Sequence, residues 1–89
     1  VYNLFRPDSY MYYVYILRSE KDKKRYIGMT SDIERRLLEQ HSGSVISTKH
    51  RRPLALIYHE KFDTKTEAMR REEYFKTGSG RKWLRENNY

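Results

Sequence analysis

The chain has 89 residues, no cysteine, a formal net charge of +7 and a sequence pI near 9.7. This length fits one domain with a small core, and the absence of cysteine excludes disulfides and thiolate metal sites. No apolar run approaches the roughly 20 residues of a membrane span, and the first residues form no signal-peptide core, so the sequence predicts a cytoplasmic protein without a membrane partner. A basic balance with nine tyrosines fits a nucleic-acid partner and, equally well, a charged soluble surface.

Residues 1–10 match no element of the domain that follows. Pro7-Asp8-Ser9 is typical of a turn, and Met11 is a natural start for a domain. The segment is either an upstream extension without fixed structure or native chain that packs on the domain, and the sequence leaves both open. We therefore predict a leader followed by a single domain, residues 11–87.

The first predicted element is a strand over Tyr12–Leu17, where β-branched and aromatic residues dominate. Alternation places Tyr15 on one face of this strand and Val14 and Ile16 on the other. Because both faces carry large side chains, we expect a strand covered on both sides, in the middle of a small sheet.

A charged loop separates this strand from a second one, Arg25–Thr30. Folding the hairpin about Lys21–Asp22 brings Tyr15 opposite, or nearly opposite, Tyr26, and directly paired residues have Cβ atoms only about 5 Å apart. Gly28 shares the face of the second tyrosine and leaves the backbone open to a ligand.

A capped helix is predicted next, ending at about His41, before Ser42-Gly43. Any of residues 30–32 is a suitable N-cap, and Ser31 with Glu34 matches a capping box.

The apolar stripe of this helix contains Ile33 and Leu37 and is expected to face the sheet. Arg36 lies at the edge of that stripe, whereas Arg35 points further round toward solvent. Arg36 is therefore the arginine better placed to reach over the sheet toward the two tyrosines.

Residues 42–53 form a basic loop that contains Lys49, Arg51, Arg52 and, when protonated, a fourth cation in His50. Such a run is usually a solvated surface, but beside a phosphate site it would contact a nucleic-acid backbone. A third strand, Leu54–Phe62, follows the loop and is expected to pair with the first strand, leaving that one central.

The second helix begins at an Asp63 or Thr64 cap and places Ala68, Glu72 and Phe75 on one stripe. A carboxylate on an apolar stripe is costly to bury unless it is paired or binds a metal. From the residues alone, a salt bridge between Glu72 and an arginine is the favoured interpretation.

Residues 77–80 are predicted to break the second helix. Ser79 would then cap a short third helix from Arg81 to about Asn87, in which Trp83 and Leu84 anchor the tail to the core.

Tyr13-Val14-Tyr15, ten intervening residues, Tyr26-Ile27-Gly28 and an arginine-bearing helix together resemble a GIY-YIG nuclease domain. The likeness extends from Met11 to about Leu84 and includes the basic segment Ser47–Pro53 and the carboxylate Glu72. It is greatest to small stand-alone bacterial members that are similar to the nuclease domain of the excision-repair excinuclease. The resemblance implies an α+β fold, with a three-stranded antiparallel sheet flanked by about three helices.

The resemblance also implies a role for each matching residue in phosphodiester hydrolysis. Tyr15 is the expected general base with Tyr26 assisting, although a free phenol has a pKa of about 10 and needs a nearby metal ion or arginine to lower it. Arg36 would clamp the scissile phosphate, and Gly28 would let that phosphate approach the second strand. Glu72 would hold one divalent ion, Mg²⁺ or alternatively Mn²⁺, with several retained waters.

One departure from the family pattern concerns a histidine. Many members carry it four residues after the arginine, and this position is Gln40 here. The neighbouring His41 is turned away by about 100°. His50, in the basic loop, is the other histidine that can take its place, so both remain candidate catalytic residues.

The sequence therefore predicts a metal-dependent endonuclease that acts on DNA, in repair or recombination, with Lys49, Arg51 and Arg52 on the nucleic-acid backbone. The alternative is a nucleic-acid-binding module of the same fold that does little chemistry. A third hypothesis is a subunit whose protein partner supplies targeting. Phosphate contacts alone do not distinguish DNA from RNA.

Overall fold

A computed structural model of the protein describes residues 11–89. The elements follow in the order β1 (Tyr12–Ser19), β2 (Arg25–Thr30), α1 (Ile33–Ser42), β3 (Leu54–Phe62), α2 (Lys65–Phe75) and α3 (Gly78–Glu86), with a turn of 3-10 helix (Lys49–Arg51) before β3. The predicted α+β class and its three-stranded sheet are confirmed. The predictions for residues 1–10 lie outside the described residues. Within the described part of the chain, no helix has both the length and the apolar character of a membrane span.

The strand order is β2-β1-β3, so β1 is central, as its two apolar faces indicated. Val14 and Ile16 are buried on one face, and Tyr15 and Leu17 are buried on the other. The strand runs to Ser19, two residues beyond the predicted end.

The hairpin turns about Lys21–Asp22, as predicted, but the residue opposite Tyr15 is Gly28, and Tyr26 pairs with Leu17. A turn centred between Lys21 and Asp22 pairs residues that are equally distant from its centre. Tyr26 therefore lies opposite Leu17, two residues beyond Tyr15 on β1. The two phenols are therefore diagonal neighbours on one face instead of a direct pair, at a typical separation of about 7–8 Å between backbones.

The hairpin loop is fixed to the 3-10 turn by a buried serine. The Ser19 hydroxyl accepts the backbone N–H groups of Lys21 and Asp22, each at 3.0 Å, and donates to the carbonyl oxygen of Arg51. The backbone N–H of Glu20 also donates to the Pro53 carbonyl at 2.8 Å. Two loops that are far apart in sequence are thus held side by side at one end of the sheet.

A bulge interrupts the pairing of β1 with β3. Ile16 pairs with Tyr58 and Leu17 pairs with Leu56, which leaves Ile57 as an extra residue. An extra residue shifts the alternation by one position. Leu56 and Tyr58, which are two residues apart across the bulge, therefore point to opposite faces of the sheet. The strand was predicted with the correct bounds, but the bulge was not predicted.

Helices α2 and α3 cover the first face. Its core consists of Val14, Ile16, Ala68, Phe75 and Leu84. Around it, the Tyr58 ring contacts the rings of Phe75 and Trp83, with centroids 6.2 and 5.7 Å away. The predicted anchoring role of Trp83 is confirmed by these contacts and by its packing against the core.

A polar network closes this face without leaving buried charge unpaired. Arg71 donates to both carboxylate oxygens of Glu60, at 2.8 and 3.1 Å, and its guanidinium lies 4.5 Å from the centroid of the Phe75 ring. The Tyr58 hydroxyl donates to the same carboxylate at 2.6 Å. Burial, together with this hydrogen bond to Glu60, raises the pKa of Tyr58 to about 12.

Helix α1 covers the second face, where Ile33 and Leu37 pack against a core of Tyr15, Leu17 and Leu54. The N-cap is Asp32, whose carboxylate accepts the backbone N–H of Arg35 at 3.1 Å. The capping box predicted for Ser31 and Glu34 is therefore wrong. The Thr30 hydroxyl accepts the backbone N–H of Asp32 at 3.0 Å, which holds the aspartate at the cap position.

The start of α3 also differs from the prediction. Thr77 is the N-cap and accepts the backbone N–H of Gly80 at 3.1 Å, so the helix starts at Gly78 and not at Arg81 after a Ser79 cap. The predicted break after the second helix is present, at residues 76–77, but both glycines lie within α3, where a Cβ at Gly80 would overlap the backbone of α2. Gly80 lies inside α3 and lets this helix approach α2 closely. Thr64, one of the two predicted caps, begins α2.

Candidate active site

A cavity of about 260 Å³ lies at edge strand β2 and is lined from both faces of the sheet. Helix α1 borders it on one side and α2 on the other. Its lining side chains include Tyr15, Tyr26, Arg36, Gln40, Thr48 and Glu72. All four residues for which the sequence predicted a leading catalytic role thus line one cavity, although they belong to four different elements.

The Tyr15 phenol is held in place by the glycine opposite it. A Cβ built on Gly28 would overlap the hydroxyl and ring of Tyr15, whose side chain is almost fully buried. The space that the glycine leaves is therefore filled by a tyrosine from the neighbouring strand. The prediction left that space open to a ligand, because the diagonal packing of the phenol was not foreseen.

The Tyr26 phenol is bonded to a carboxylate that the sequence analysis missed. Its hydroxyl donates to Asp22 Oδ2 at 2.8 Å, and Arg51 Nε lies 3.4 Å from the same oxygen. Asp22 Oδ1 accepts the backbone N–H of Lys24 at 2.8 Å. The signal available in the sequence was an aspartate at the hairpin turn, four residues before a candidate catalytic tyrosine.

These contacts set the charges of the pair. The backbone hydrogen bond from Lys24 is the largest effect on Asp22, and it lowers the pKa of that carboxyl group, with smaller contributions from Tyr26 and Arg51. The hydrogen bond to Asp22 raises the pKa of Tyr26 above that of an ordinary phenol, and Arg51 opposes this effect only in part. Near neutral pH, Asp22 is therefore ionised and Tyr26 keeps its proton.

Arg36 reaches the cavity from α1 with its guanidinium half-exposed. Its Nη1 lies 3.2 Å from Glu39 Oε1, and the two side chains are 38% and 41% exposed. An exposed pair of this kind contributes only about 0–1 kcal/mol, so a phosphate can replace Glu39 at little cost. Arg35 is exposed to solvent, as predicted.

Glu72 enters the cavity from α2, and its ion-pair partner is a lysine, not the arginine favoured from the residues alone. Glu72 Oε2 lies 3.4 Å from Lys76 Nζ one turn further along the helix. Among residues 11–89, no cluster of three or more histidine, cysteine or acidic side chains has the arrangement of a metal site. A site at Glu72 would thus have one carboxylate ligand and water, a ligand set that suits Mg²⁺.

Gln40 occupies the histidine position of the family pattern. It is 4% exposed, and its Oε1 accepts a hydrogen bond from the Thr48 hydroxyl inside the protein. His41 points elsewhere, with Nε2 3.1 Å from the Leu54 carbonyl oxygen. The first cavity is therefore lined by an amide at this position, and neither His41 nor His50 lies on its wall.

A second, larger cavity of about 600 Å³ lies on the other side of residues 45–52. Its basic lining residues are Lys21, His41, Lys49, His50 and Arg52. The Arg52 guanidinium donates to the carbonyl oxygens of Lys49 and His41, at 3.0 and 3.3 Å, so part of its hydrogen-bonding capacity serves the end of α1. Thr48 borders the first cavity and Lys49 the second, so the two are neighbours.

A small sheet that presents two neighbouring tyrosines, an arginine and a carboxylate around one cavity is the arrangement expected of a nuclease domain. The GIY-YIG catalytic domain family matches residues 11–87. The chain belongs to this family, and membership implies nucleic-acid binding. The family predicted from the two tripeptides and their spacing, together with the arginine-bearing helix, the basic segment and Glu72, is confirmed.

Two relatives and one solved structure support the assignment. The UPF0213 protein SSP2268 of Staphylococcus saprophyticus is 44% identical over 75 residues, which cover 83% of this chain and 90% of the relative. A UPF0213 protein of Bacillus pumilus is 41% identical over 76 residues, covering 84% and 76%. The solution NMR structure of the UPF0213 protein BH0048 from Bacillus halodurans has a TM-score of 0.55 and 33% identity, covering 88% of this chain and 85% of that one. The fold is thus shared with one experimentally solved UPF0213 protein.

Proposed function

We propose that the protein is a metal-dependent endonuclease that hydrolyses phosphodiester bonds in DNA. The observation that carries the proposal is the single cavity that Tyr15, Tyr26, Arg36 and Glu72 line from four elements. These side chains supply an acid–base group, a phosphate clamp and a metal ligand, which are the parts that the reaction requires.

Tyr15 is the proposed general base. Its ring is fixed over Gly28, so the hydroxyl needs no rearrangement to meet a water molecule in the cavity. A tyrosine acts as a base near neutral pH only in its phenolate form, which nearby positive charge stabilises. The guanidinium of Arg36 lines the same cavity and is one source of that charge.

Arg36 is the proposed clamp for the scissile phosphate. On binding, its donors would leave Glu39 and take two oxygens of the phosphate, which a planar guanidinium fits better than an ammonium group. The same donors would then stabilise the negative charge that develops as the water attacks.

Glu72 is the proposed ligand of one divalent ion, Mg²⁺ or Mn²⁺. Its carboxylate is 22% exposed, and its ion-pair partner in the described part of the chain is a lysine that is itself 56% exposed. Such an i, i+4 pair contributes about 0.3–0.5 kcal/mol and is easily exchanged for a cation. When bound, the ion would supply charge stabilisation for the leaving oxygen.

The basic residues beside the cavity are the proposed contacts for the rest of the strand. Lys49, Arg51 and Arg52 lie on or next to the 3-10 turn, and the whole chain carries a charge of +7. Backbone contacts of this kind position DNA without reading its sequence. A role in repair or recombination rests on the likeness to the excinuclease nuclease domain.

The test is cleavage of supercoiled plasmid and of branched and single-stranded DNA with Mg²⁺, Mn²⁺ or EDTA. We expect cleavage with either metal and none with EDTA. Tyr15→Phe should reduce the rate about 100-fold or more, the usual scale for loss of an acid–base group. Glu72→Gln should reduce it by about as much, because it removes the ligand of an ion that contributes several kcal/mol of charge stabilisation. Glu73→Gln is the matched control, since Glu73 is the next residue on α2 and is exposed.

Two results would contradict the proposal. Cleavage that survives both substitutions would indicate a contaminating nuclease or a different site. Salt-sensitive DNA binding without cleavage by any form would instead support the binding module, with Gln40 in place of histidine as the first residue to examine.

A further inference from the structure

The Asp22 carboxylate is fixed by more contacts than an ordinary hairpin-loop side chain. Oδ1 accepts the Lys24 backbone N–H at 2.8 Å, and Oδ2 accepts the Tyr26 hydroxyl at 2.8 Å. Arg51 Nε lies 3.4 Å from Oδ2, and the backbone N–H of Asp22 donates to the Ser19 hydroxyl at 3.0 Å. The carboxylate therefore has one orientation, with each oxygen assigned to a partner.

The direction of the Tyr26 proton follows from this arrangement. An ionised carboxylate only accepts hydrogen bonds, and a phenolic hydroxyl has a single proton to donate. Since that proton is directed to Asp22, the lone pairs of the Tyr26 oxygen are what remains for the cavity that Tyr26 lines. We propose that Asp22 is a positioning residue for hydrolysis: it accepts the hydrogen bond that the Tyr26 hydroxyl donates, and it thereby leaves Tyr26 as a hydrogen-bond acceptor for the attacking water.

This inference rests on the proposed function and deepens it by separating the two tyrosines. A phosphodiester oxygen has no proton to donate, so an accepting Tyr26 does not bind the phosphate but does bind water. Because Tyr26 keeps its own proton, it also does not take one from that water. Tyr15 is left as the base, and Tyr26 orients the water that Tyr15 deprotonates.

Asp22→Asn reverses the direction of the hydrogen bond between residue 22 and Tyr26, with almost no change in the shape of the side chain. The Lys24 backbone N–H requires an oxygen at the Oδ1 position, so the amide nitrogen falls at the Oδ2 position, where it donates toward Tyr26. The Tyr26 proton then has to turn away from the loop. Glu20→Gln is the matched control, because Glu20 is an exposed carboxylate in the same loop and its substitution removes the same charge.

The first readout is the ionisation of Tyr26, followed by NMR titration of isotope-labelled tyrosines, with the signal assigned by its loss in Tyr26→Phe. Asp22 and Arg51 are the charged groups that shift this hydroxyl, in opposite directions. Asp22→Asn should lower the pKa of Tyr26 toward that of an ordinary phenol, and Arg51→Gln should raise it further. Glu20→Gln should leave it unchanged. The Arg51 variant keeps the test informative if Asp22→Asn does not fold.

The second readout is kinetic. Asp22→Asn should lower kcat roughly tenfold, the scale of one hydrogen bond to a charged group. KM should not rise, since removing a negative charge does not weaken attraction to DNA. In a Tyr26→Phe background, the same substitution should have no further effect on kcat, because Asp22 acts through that hydroxyl.

The proposal is overturned if the pKa of Tyr26 is the same in wild type and Asp22→Asn, or if the substitution lowers kcat equally with and without the Tyr26 hydroxyl. A wild-type protein that cleaves no DNA would refute the proposed function. In that case, the titration would still decide the direction of the Tyr26 proton.

Discussion

The two faces of β1 are buried to nearly the same degree, yet they are built differently. Val14 and Ile16 are 1% and 0% exposed under α2 and α3, and Tyr15 and Leu17 are 4% and 0% exposed under α1. The first face is sealed by aromatic rings and by the network of Glu60 and Arg71. The second face is covered by one helix and is bordered by a cavity that runs over edge strand β2.

The comparison shows that burial alone does not separate a structural side chain from a chemical one. The two kinds of side chain differ in what lies over them: packed protein on the first face, and a helix with a cavity beside it on the second face. On the first face, the polar atoms near the core have protein partners, so the network adds rigidity. At the cavity beside the second face, the side chains of Arg36 from α1 and Glu72 from α2 reach the wall, where their weak surface pairs with Glu39 and Lys76 can be exchanged for a substrate or an ion.

The largest expected effect is on the sealed face. Phe75→Ala removes a fully buried ring and should lower the free energy of unfolding by about 3–5 kcal/mol. Met69→Ala on the same helix is the control, because Met69 is 42% exposed and its loss should cost much less. Urea denaturation measures both, and equal losses would mean that the first face is not the main source of stability.

Gly28→Ala should act on the other face. The added methyl group meets the Tyr15 phenol, so we expect cleavage to fall at least tenfold, on the scale of a displaced acid–base group, with a smaller effect on stability. Gly80→Ala meets α2 backbone instead and should lower stability without a specific effect on the rate. Adding Gly28→Ala to Tyr15→Phe should lower the cleavage rate little further. A fully additive loss of rate would mean that Gly28 does not act through the Tyr15 hydroxyl.

Arg36→Lys tests the clamp with the charge retained. We expect kcat/KM to fall roughly tenfold, since a hydrogen bond to a charged group contributes about 1.5–3 kcal/mol and only part of it is lost. Arg35→Lys is the control from the next, exposed position. Steady-state kinetics on one oligonucleotide compare the two, and similar losses would exclude a special role for Arg36.

The smallest effect is the pH dependence of the sealed face. The pKa of Tyr58 is raised from 10.0 to about 12 by burial and by Glu60, so the fold stabilises the neutral phenol. This contribution is fully present below pH 10 and is lost as pH rises through about 12. Unfolding experiments in this range should therefore show a steeper loss for wild type than for Tyr58→Phe. Tyr74→Phe is the control, since the Tyr74 hydroxyl lies at the surface, and an identical slope for all three proteins would refute the assignment.

Local patterns were enough to predict the strands, the central position of β1 and the edge position of Arg36. They failed where tertiary contacts decide between local alternatives. The break after the second helix was placed over residues 77–80 and not at 76–77, because the close contact of Gly80 with α2 is invisible in the sequence. The capping residue of α1 was uncertain among neighbours because Ser31 and Asp32 have similar propensities.

The residues of the candidate site were predicted more fully than their arrangement in space. The resemblance selected Tyr15, Arg36 and Glu72, but side-chain partners across a turn are not encoded by periodicity. Asp22 was therefore missed, and the packing of the Tyr15 ring on Gly28 was read as open space. These contacts depend on the register of the hairpin, which small differences in turn geometry change.

The bulge at Ile57 determines how the protein can tolerate changes in length. Before it, Leu56 serves the face of α1, and after it, Tyr58 serves the face of α2 and α3. Deleting this one residue would make Leu56 and Tyr58 neighbours, and ordinary alternation would keep each of them on the face that it already serves. A single-residue deletion at the bulge is thus compatible with the pairing on either side of it, whereas a deletion elsewhere in β3 would turn part of the strand to the wrong face.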